Sequence, residues 1–262
     1  MIPIDIIGKG AHWSVERISI SDNGQEKSVV RKHGRNVDAN ITTYDLVLKA
    51  GLPTLKRYVK VNDNEIEAED LNADTSKGYF VSPNTIRSCL NCGDAFLKYI
   101  NSGSLTPLEC EQCKEFDFMR ILKMIETNEY PEVVDQMRKK KIAIGAEGEV
   151  YNSKIKFISN LEPFCCSVRK DLENATSNKI ALYSDAFFFR VNPVSGYIEY
   201  VIADFDCIFN LNTSMDYLPD VFKENQREFK TALLEFIHFF VVEEKQEEYI
   251  ALLDDFMSLA SQ

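Results

Sequence analysis

Along the first quarter of the chain, apolar and polar positions alternate in short runs separated by turn-forming residues, the period of half-buried strands. Ile4 to Ile7 is an apolar run ending in Gly8-Lys9-Gly10. Val15 to Ile20 alternates, Asp22-Asn23-Gly24 supplies a hairpin turn, and Ser28 to Lys32 returns. The period then changes. Tyr44, Leu46, Val47 and Leu48 follow a cap at Thr42 or Thr43, and Gly51 with Pro53 signals the end of a helix. Leu55 to Val61 and Glu65 to Glu69, around the turn Asn62-Asp63-Asn64, complete the order β-β-β-α-β-β. Asp70 to Lys77 reads as a connector.

The rest of the chain is patterned differently. Residues 84–130 hold four of the seven cysteines and a helical stretch from Glu111 to Thr127. Lys141 to Lys156 reads as a hairpin. Ala181 to Val191 and Tyr197 to Phe209 read as two strands around the turn Asn192 to Gly196. Pro219 to Val242 has a helical period, with His238 expected as a satisfied core histidine, and Glu243 to Leu259 makes a second amphipathic helix. The predicted class is α+β, with a β-rich part over 1–71, a connector and cysteine-containing insertion over 72–130, and a mostly helical part over 131–262.

Composition narrows the function classes. A net charge of −11 over 262 residues leaves no bulk positive field to exchange for the counterions of a nucleic acid, so none is expected as partner. The one dense basic run, Arg138 to Lys141, reads as a solvated helix end. The start MIPIDIIGKG has neither the basic segment nor the apolar stretch of a signal peptide, and no window reaches the ~18 apolar residues of a membrane span. An odd number of cysteines fits a reducing compartment, so the expected location is cytoplasmic.

Four features carry chemistry. Gly8 to Val15 has the spacing G-x-G-x-x-x-x-V between two predicted strands, where Gly8 and Gly10 would let backbone amides close over phosphates. Lys32 ends the next strand, within reach of the same phosphates as a point charge. Val201-Ile202-Ala203-Asp204-Phe205-Asp206 is an apolar strand ending in two carboxylates, for which a divalent cation is a natural partner. Asp185, in Tyr183-Ser184-Asp185, stands 19 residues before Asp204 and could orient a hydroxyl and take its proton.

In this order and spacing the features resemble the protein-kinase-like superfamily, nearest its small-molecule branch, the aminoglycoside and choline phosphotransferases. The resemblance covers 4–71 and 180–209. It implies a two-lobed fold binding ATP and Mg²⁺. Gly8, Gly10 and Val15 would belong to the phosphate-covering loop, with Trp13 where a third glycine usually stands. Lys32 would be the phosphate lysine of V-A-I-K, and Glu69 to Leu71 the hinge that meets adenine through backbone groups. Asp185 would be the catalytic aspartate of H-G-D, and Asp204 the Mg²⁺ ligand of an I-D-F-D variant of D-F-G. Three residues depart from the pattern. Arg190 stands where a metal-binding asparagine is expected, with Asn192 two positions late, and arginine repels Mg²⁺. The helix acid that should pair with the lysine aligns with Thr43, Asp45 being the nearest carboxylate. Tyr183 replaces the histidine of H-G-D. A second glycine run, Gly145 to Tyr151 with Val168-Arg169-Lys170, leaves too few residues before Asp185 for the intervening elements.

Cys89-x₂-Cys92 and Cys110-x₂-Cys113 have the spacing of a structural zinc site, closed by four thiolates; buried free thiols are the other reading. Cys165, Cys166 and Cys207 read as small core residues. The expected activity is ATP/Mg²⁺-dependent phosphotransfer to a small hydroxyl- or amine-bearing acceptor. The alternative is a pseudokinase, which binds nucleotide or a protein partner without turnover. A zinc-ribbon adaptor is a third reading.

Overall fold

The alternating N-terminal segment folds as a five-stranded antiparallel sheet. The computed structural model describes residues 5–9, 13–22, 25–83, 149–150, 153–212 and 220–258. Strands β1 (Asp5–Lys9), β2 (Trp13–Asp22) and β3 (Gln25–Gly34) come first, α1 (Val37–Lys49) follows, and β4 (Tyr58–Asn62) and β5 (Glu65–Glu69) return to the sheet. Its order is β1-β2-β3-β5-β4. The register sets Gly8, Val15, Lys32 and Ile66 in one transverse row. Residues opposite one another share a face, and here it is the buried one, since Ile66 and Lys32 are both buried. The other face carries charge: Arg31 meets Glu65 at 2.9 Å and Glu67 at 3.7 Å, and Arg57 meets Glu67 at 2.7 Å.

Helix α1 begins at Val37, ahead of the expected threonine caps. The Thr42 and Thr43 hydroxyls instead donate to carbonyls one turn back, those of Asp38 (2.8 Å) and Ala39 (3.0 Å), which lets both residues sit inside the helix. The chain enters through Asn36 in the left-handed region, φ 62°. It leaves as the sequence predicts, with Gly51 at φ +71° and the Leu52 N–H donating to the Val47 carbonyl. A Cβ on Gly51 would stand in open space, whereas on Gly78, at φ +93°, it would lie 2.4 Å from the Val191 carbonyl oxygen. Gly51→Ala is expected to cost about 1 kcal/mol and Gly78→Ala at least about 2 kcal/mol. Urea unfolding of the two variants side by side checks this, and equal losses would mean that the Gly78 backbone is not held against the Val191 carbonyl.

After α2 (Leu161–Ser177), each of the two strands expected before the C-terminal helices is broken in the middle. β6 (Ile180–Leu182) pairs with β9 (Ile208–Asn210), and β7 (Phe187–Val191) pairs with β8 (Ile198–Ile202). Between them the chain makes two 3-10 turns, Ser184–Ala186 and Phe205–Cys207, stapled by Tyr183 N–H to the Cys207 carbonyl (3.0 Å) and Ala203 N–H to the Ala186 carbonyl (3.1 Å). Helices α3 (Val221–Phe240) and α4 (Glu243–Ser258) follow. Phe187 and Phe189 pack against Phe229 of α3, and Phe164 of α2 packs against both Phe189 and Phe229. The molecule is thus mixed α and β. The β-rich and helical parts join beside β8. The Ile202 N–H donates to the Pro53 carbonyl and Thr54 Oγ1 donates to the Ile202 carbonyl, both at 2.8 Å.

Several expectations are corrected. Where 141–156 was expected to be a hairpin, residues 149–150 and 153 are helical, with the Lys154 N–H closing on the Val150 carbonyl, and Ile155 bridges to Val241. Lys170 lies on an exposed turn of α2, so the second glycine run has no lysine strand. His238 and Cys166 are exposed rather than core residues, each lying off the buried stripe of its helix. Gly10, Cys89, Cys92, Cys110, Cys113, the helix at 111–127 and the basic run at 138–141 lie outside the described residues. Among the described residues no helix is long and apolar enough to cross a membrane.

Candidate functional site

The 3-10 turn after β8 faces the buried side of the N-terminal sheet, and polar chemistry collects between them. β8 buries alternate residues up to Ile202, after which the turn at Phe205–Cys207 sets a carboxylate on each side of a buried phenylalanine. Phe205 is 1% exposed and meets Tyr44 of α1 and Tyr58 of β4 edge-on, with ring centroids 5.4 and 4.6 Å away. That anchor fixes where the two aspartates point.

Asp204 turns to Lys32. The Nζ to Oδ1 distance is 3.6 Å, with the lysine side chain 11% exposed and the aspartate 37% exposed. The ammonium also lies 5.1 Å from the Trp13 ring centroid and 5.8 Å from that of Tyr58, within cation–π range. Asp206 turns to α1 and β2: Oδ1 accepts from Asn40 Nδ2 at 2.5 Å, and Oδ2 accepts from Trp13 Nε1. Asn40 in turn accepts from the Tyr58 hydroxyl at 3.1 Å, so a network runs from Tyr58 through Asn40 and Asp206 to Trp13. Burial, then the charges of Asp204 and Asp206, push the Tyr58 hydroxyl far above its ordinary pKa, which keeps it a neutral donor.

Asp185 sits opposite, exposed, on the turn Ser184–Ala186. The Ser184 N–H donates to Glu228 of α3 at 3.0 Å, and Asn225 of the same helix clamps β6 just before it, bonding the Leu182 N–H at 2.8 Å and the Ile180 carbonyl at 2.9 Å. Cys207 lies within the field of all these groups. Its thiol is pushed up first by burial and then by Asp204, Asp185 and Asp206, with Lys32 opposing. Lys32 and Asp204 thus form the charged centre of the site, with Asp206 two residues on and Asp185 on the neighbouring turn.

The remaining sequence-picked residues sit around this centre. Gly8 and Val15 flank Lys32 across β1 and β2, with Val15 half-buried against the core. Glu69 accepts from the Lys56 N–H at 2.6 Å and donates its own N–H to the Arg57 carbonyl, so it is engaged with the start of β4. Leu71 packs half-buried on the core. Between them Asp70 takes Arg17 at 2.7 Å and Ser28 at 2.5 Å; burial would raise its carboxyl, and these bonds hold it below the ordinary range. Thr43 and Asp45 do not meet Lys32; Asn40, one turn earlier, is the residue α1 turns inward. Arg190 is committed to Glu199, at 2.6 Å, and to the Phe80 ring, 4.2 Å away, so its charge is spent across the β7–β8 pair. Asn192 caps its turn, accepting from the Val194 and Ser195 N–H groups.

A divalent cation can be tested against these donors. Mg²⁺ is commonly held by one or two carboxylates with phosphate oxygens and water completing the shell. Asp204, half-exposed, and Asp206, two residues on, fit that mode, while among the described residues no group of three or more His, Cys, Asp or Glu side chains forms a self-sufficient metal site. A separate hollow of about 230 Å³ lies against α2 and β8, lined by Pro53, Phe164, Asp171, Glu199 and Tyr200. Two of its polar groups are tied into the fold, Asp171 by Tyr200 at 2.9 Å and Glu199 by Arg190, and Asp185, Asp204 and Asp206 do not line it.

Sequence reasoning picked out Asp206 only as one of a pair of carboxylates at a strand end, and passed over Trp13, Asn40 and Tyr58 as working parts of the site. Asn40 had a readable signal, a polar residue on the stripe Val37, Tyr44 and Val47 that can be buried only if bonded. No protein-family model matches this chain, and neither does any curated protein.

Proposed function

We propose that the chain is a kinase-like phosphotransferase, using ATP and Mg²⁺ to modify a small hydroxyl- or amine-bearing acceptor. The observation that carries the reading is the Lys32–Asp204 pair, two residues 172 positions apart in sequence brought to 3.6 Å. The sheet order, with α1 inserted between the third and fourth strands and the lysine facing inward from the third, supports a two-lobed kinase-like fold. In this reading residues 1–71 form the N-lobe and 131–262 the C-lobe, joined through the hinge near Glu69 to Leu71. Lys32 binds phosphate oxygens as a point charge, and Asp204 with Asp206 would hold Mg²⁺, which neutralises the phosphates when bound. Asp185, exposed on the turn Ser184–Ala186, orients the acceptor and takes its proton.

One observation favours the pseudokinase alternative: the polar residue that α1 buries beside the acidic turn is a neutral one, Asn40, bonded to Asp206 and Tyr58. Thermal unfolding with ATP, with and without Mg²⁺, tests the nucleotide reading that both share. Nucleotide at 100 times its dissociation constant should add about 2.7 kcal/mol, or roughly 5–10 °C in a chain of this size. Asp204→Ala should lose the Mg²⁺-dependent part. An equal shift in wild type and variant would remove Asp204 from the site, and no shift in wild type would remove the nucleotide.

A further inference from the structure

Trp13 touches two of the charged groups of the candidate nucleotide site, Lys32 and Asp206. It stands at the start of β2, opposite Gly34, and Lys32 is its diagonal neighbour across the β2–β3 pair. Facing a residue with no side chain, the indole leans along β3, covers the Lys32 ammonium and is 7% exposed itself. Its N–H reaches on to Asp206. One side chain thus bridges the cation and one of the carboxylates of the candidate nucleotide site, with an aromatic face for the first and a donor for the second. Both groups also have an alternative partner of the same kind. Lys32 would accept a phosphate in exchange for the ring, and Asp206 would accept a cation in exchange for the N–H. Nothing else described here makes both contacts.

We propose that Trp13 is a built-in occupant of the nucleotide site: its indole takes the place of phosphate and metal over Lys32 and Asp206, and MgATP binds by displacing it. The proposal rests on the nucleotide reading above. A buried ammonium needs partners whether or not ligand is bound, and the ring supplies one beside Asp204. The cost falls on the ligand. Apparent affinity is lowered by the fraction of molecules in which the indole has already moved away, so removing the indole should tighten binding.

The chain has a single tryptophan, so its emission reports this one side chain. MgATP is titrated into wild type, Trp13→Ala and Trp13→Phe, with binding followed by calorimetry, emission followed in wild type, and folding of the variants checked by far-UV circular dichroism. The expected result is a shift of wild-type emission to longer wavelength that saturates with binding, and roughly tenfold tighter binding by Trp13→Ala. Trp13→Phe, which keeps a ring over Lys32 but has no donor for Asp206, should fall between and decides the matter if the alanine variant does not fold. Binding by the variants but not by wild type would support the proposal more strongly still. Saturable MgATP binding with unchanged emission, and no tightening in either variant, overturns the proposal and leaves the nucleotide reading standing. Where emission and affinities disagree, the emission decides. Absence of binding in all three proteins overturns the proposal and the nucleotide reading together.

Discussion

Asp185→Asn is expected to slow phosphoryl transfer by about 10²–10⁴-fold, the usual worth of a positioned general base, while leaving nucleotide affinity unchanged. The separation follows from where the residue sits. Asp185 is on the turn Ser184–Ala186, held from below by Glu228 and Asn225 of α3, whereas Asp204 meets Lys32 of the sheet and Asp206 meets Asn40 of α1. Its substitution removes a proton acceptor without disturbing the cation–carboxylate pair. Transfer of labelled phosphate to a panel of small amines and alcohols measures the rate, and calorimetry with MgATP measures the affinity. An undiminished rate in the variant removes Asp185 from the chemistry. Wild-type binding without transfer to any acceptor would favour the pseudokinase.

Phe205→Ala should be the most damaging single substitution in the site, at about 3–5 kcal/mol of stability. The ring is 1% exposed and packs edge-on against both Tyr44 and Tyr58, so truncation leaves a cavity where α1, β4 and the acidic turn meet. Phe205→Leu should lose less, because it keeps most of the volume. The alanine variant should also shift Trp13 emission to longer wavelength, since the turn that presents Asp206 to the indole loses its anchor. Urea unfolding gives the first quantity and fluorescence the second. A loss below about 1 kcal/mol, no more than an ordinary substitution costs, with emission unchanged, would mean that backbone bonds alone hold the turn.

Much of the frame was readable because period-two alternation is a strong signal. All five N-terminal strands and α1 appear in the expected order, and the Gly51 stop is where the helix ends. The start of α1 was misread because Thr42 and Thr43, good caps in isolation, can bond within a helix just as well. Helix α2 was passed over although Leu161, Phe164, Cys165, Val168, Leu172 and Ala175 mark a helical stripe; Arg169 and Lys170 had drawn attention to a strand instead. At the site, Lys32 and Asp204 were legible one by one, since each ends an apolar strand. Their meeting was not, because it depends on the sheet register and on Phe205 docking against two tyrosines. Arg190 shows the limit from the other side. Position counting set it beside a metal, while the β7–β8 register sets it beside Glu199.

The paired bonds between the Pro53–Thr54 loop and Ile202 act as an alignment pin. They lie at the end of the loop from α1 and two residues before Asp204, and they engage both the N–H and the carbonyl of Ile202. The Lys32–Asp204 pair therefore inherits its alignment from the length of the loop that follows α1.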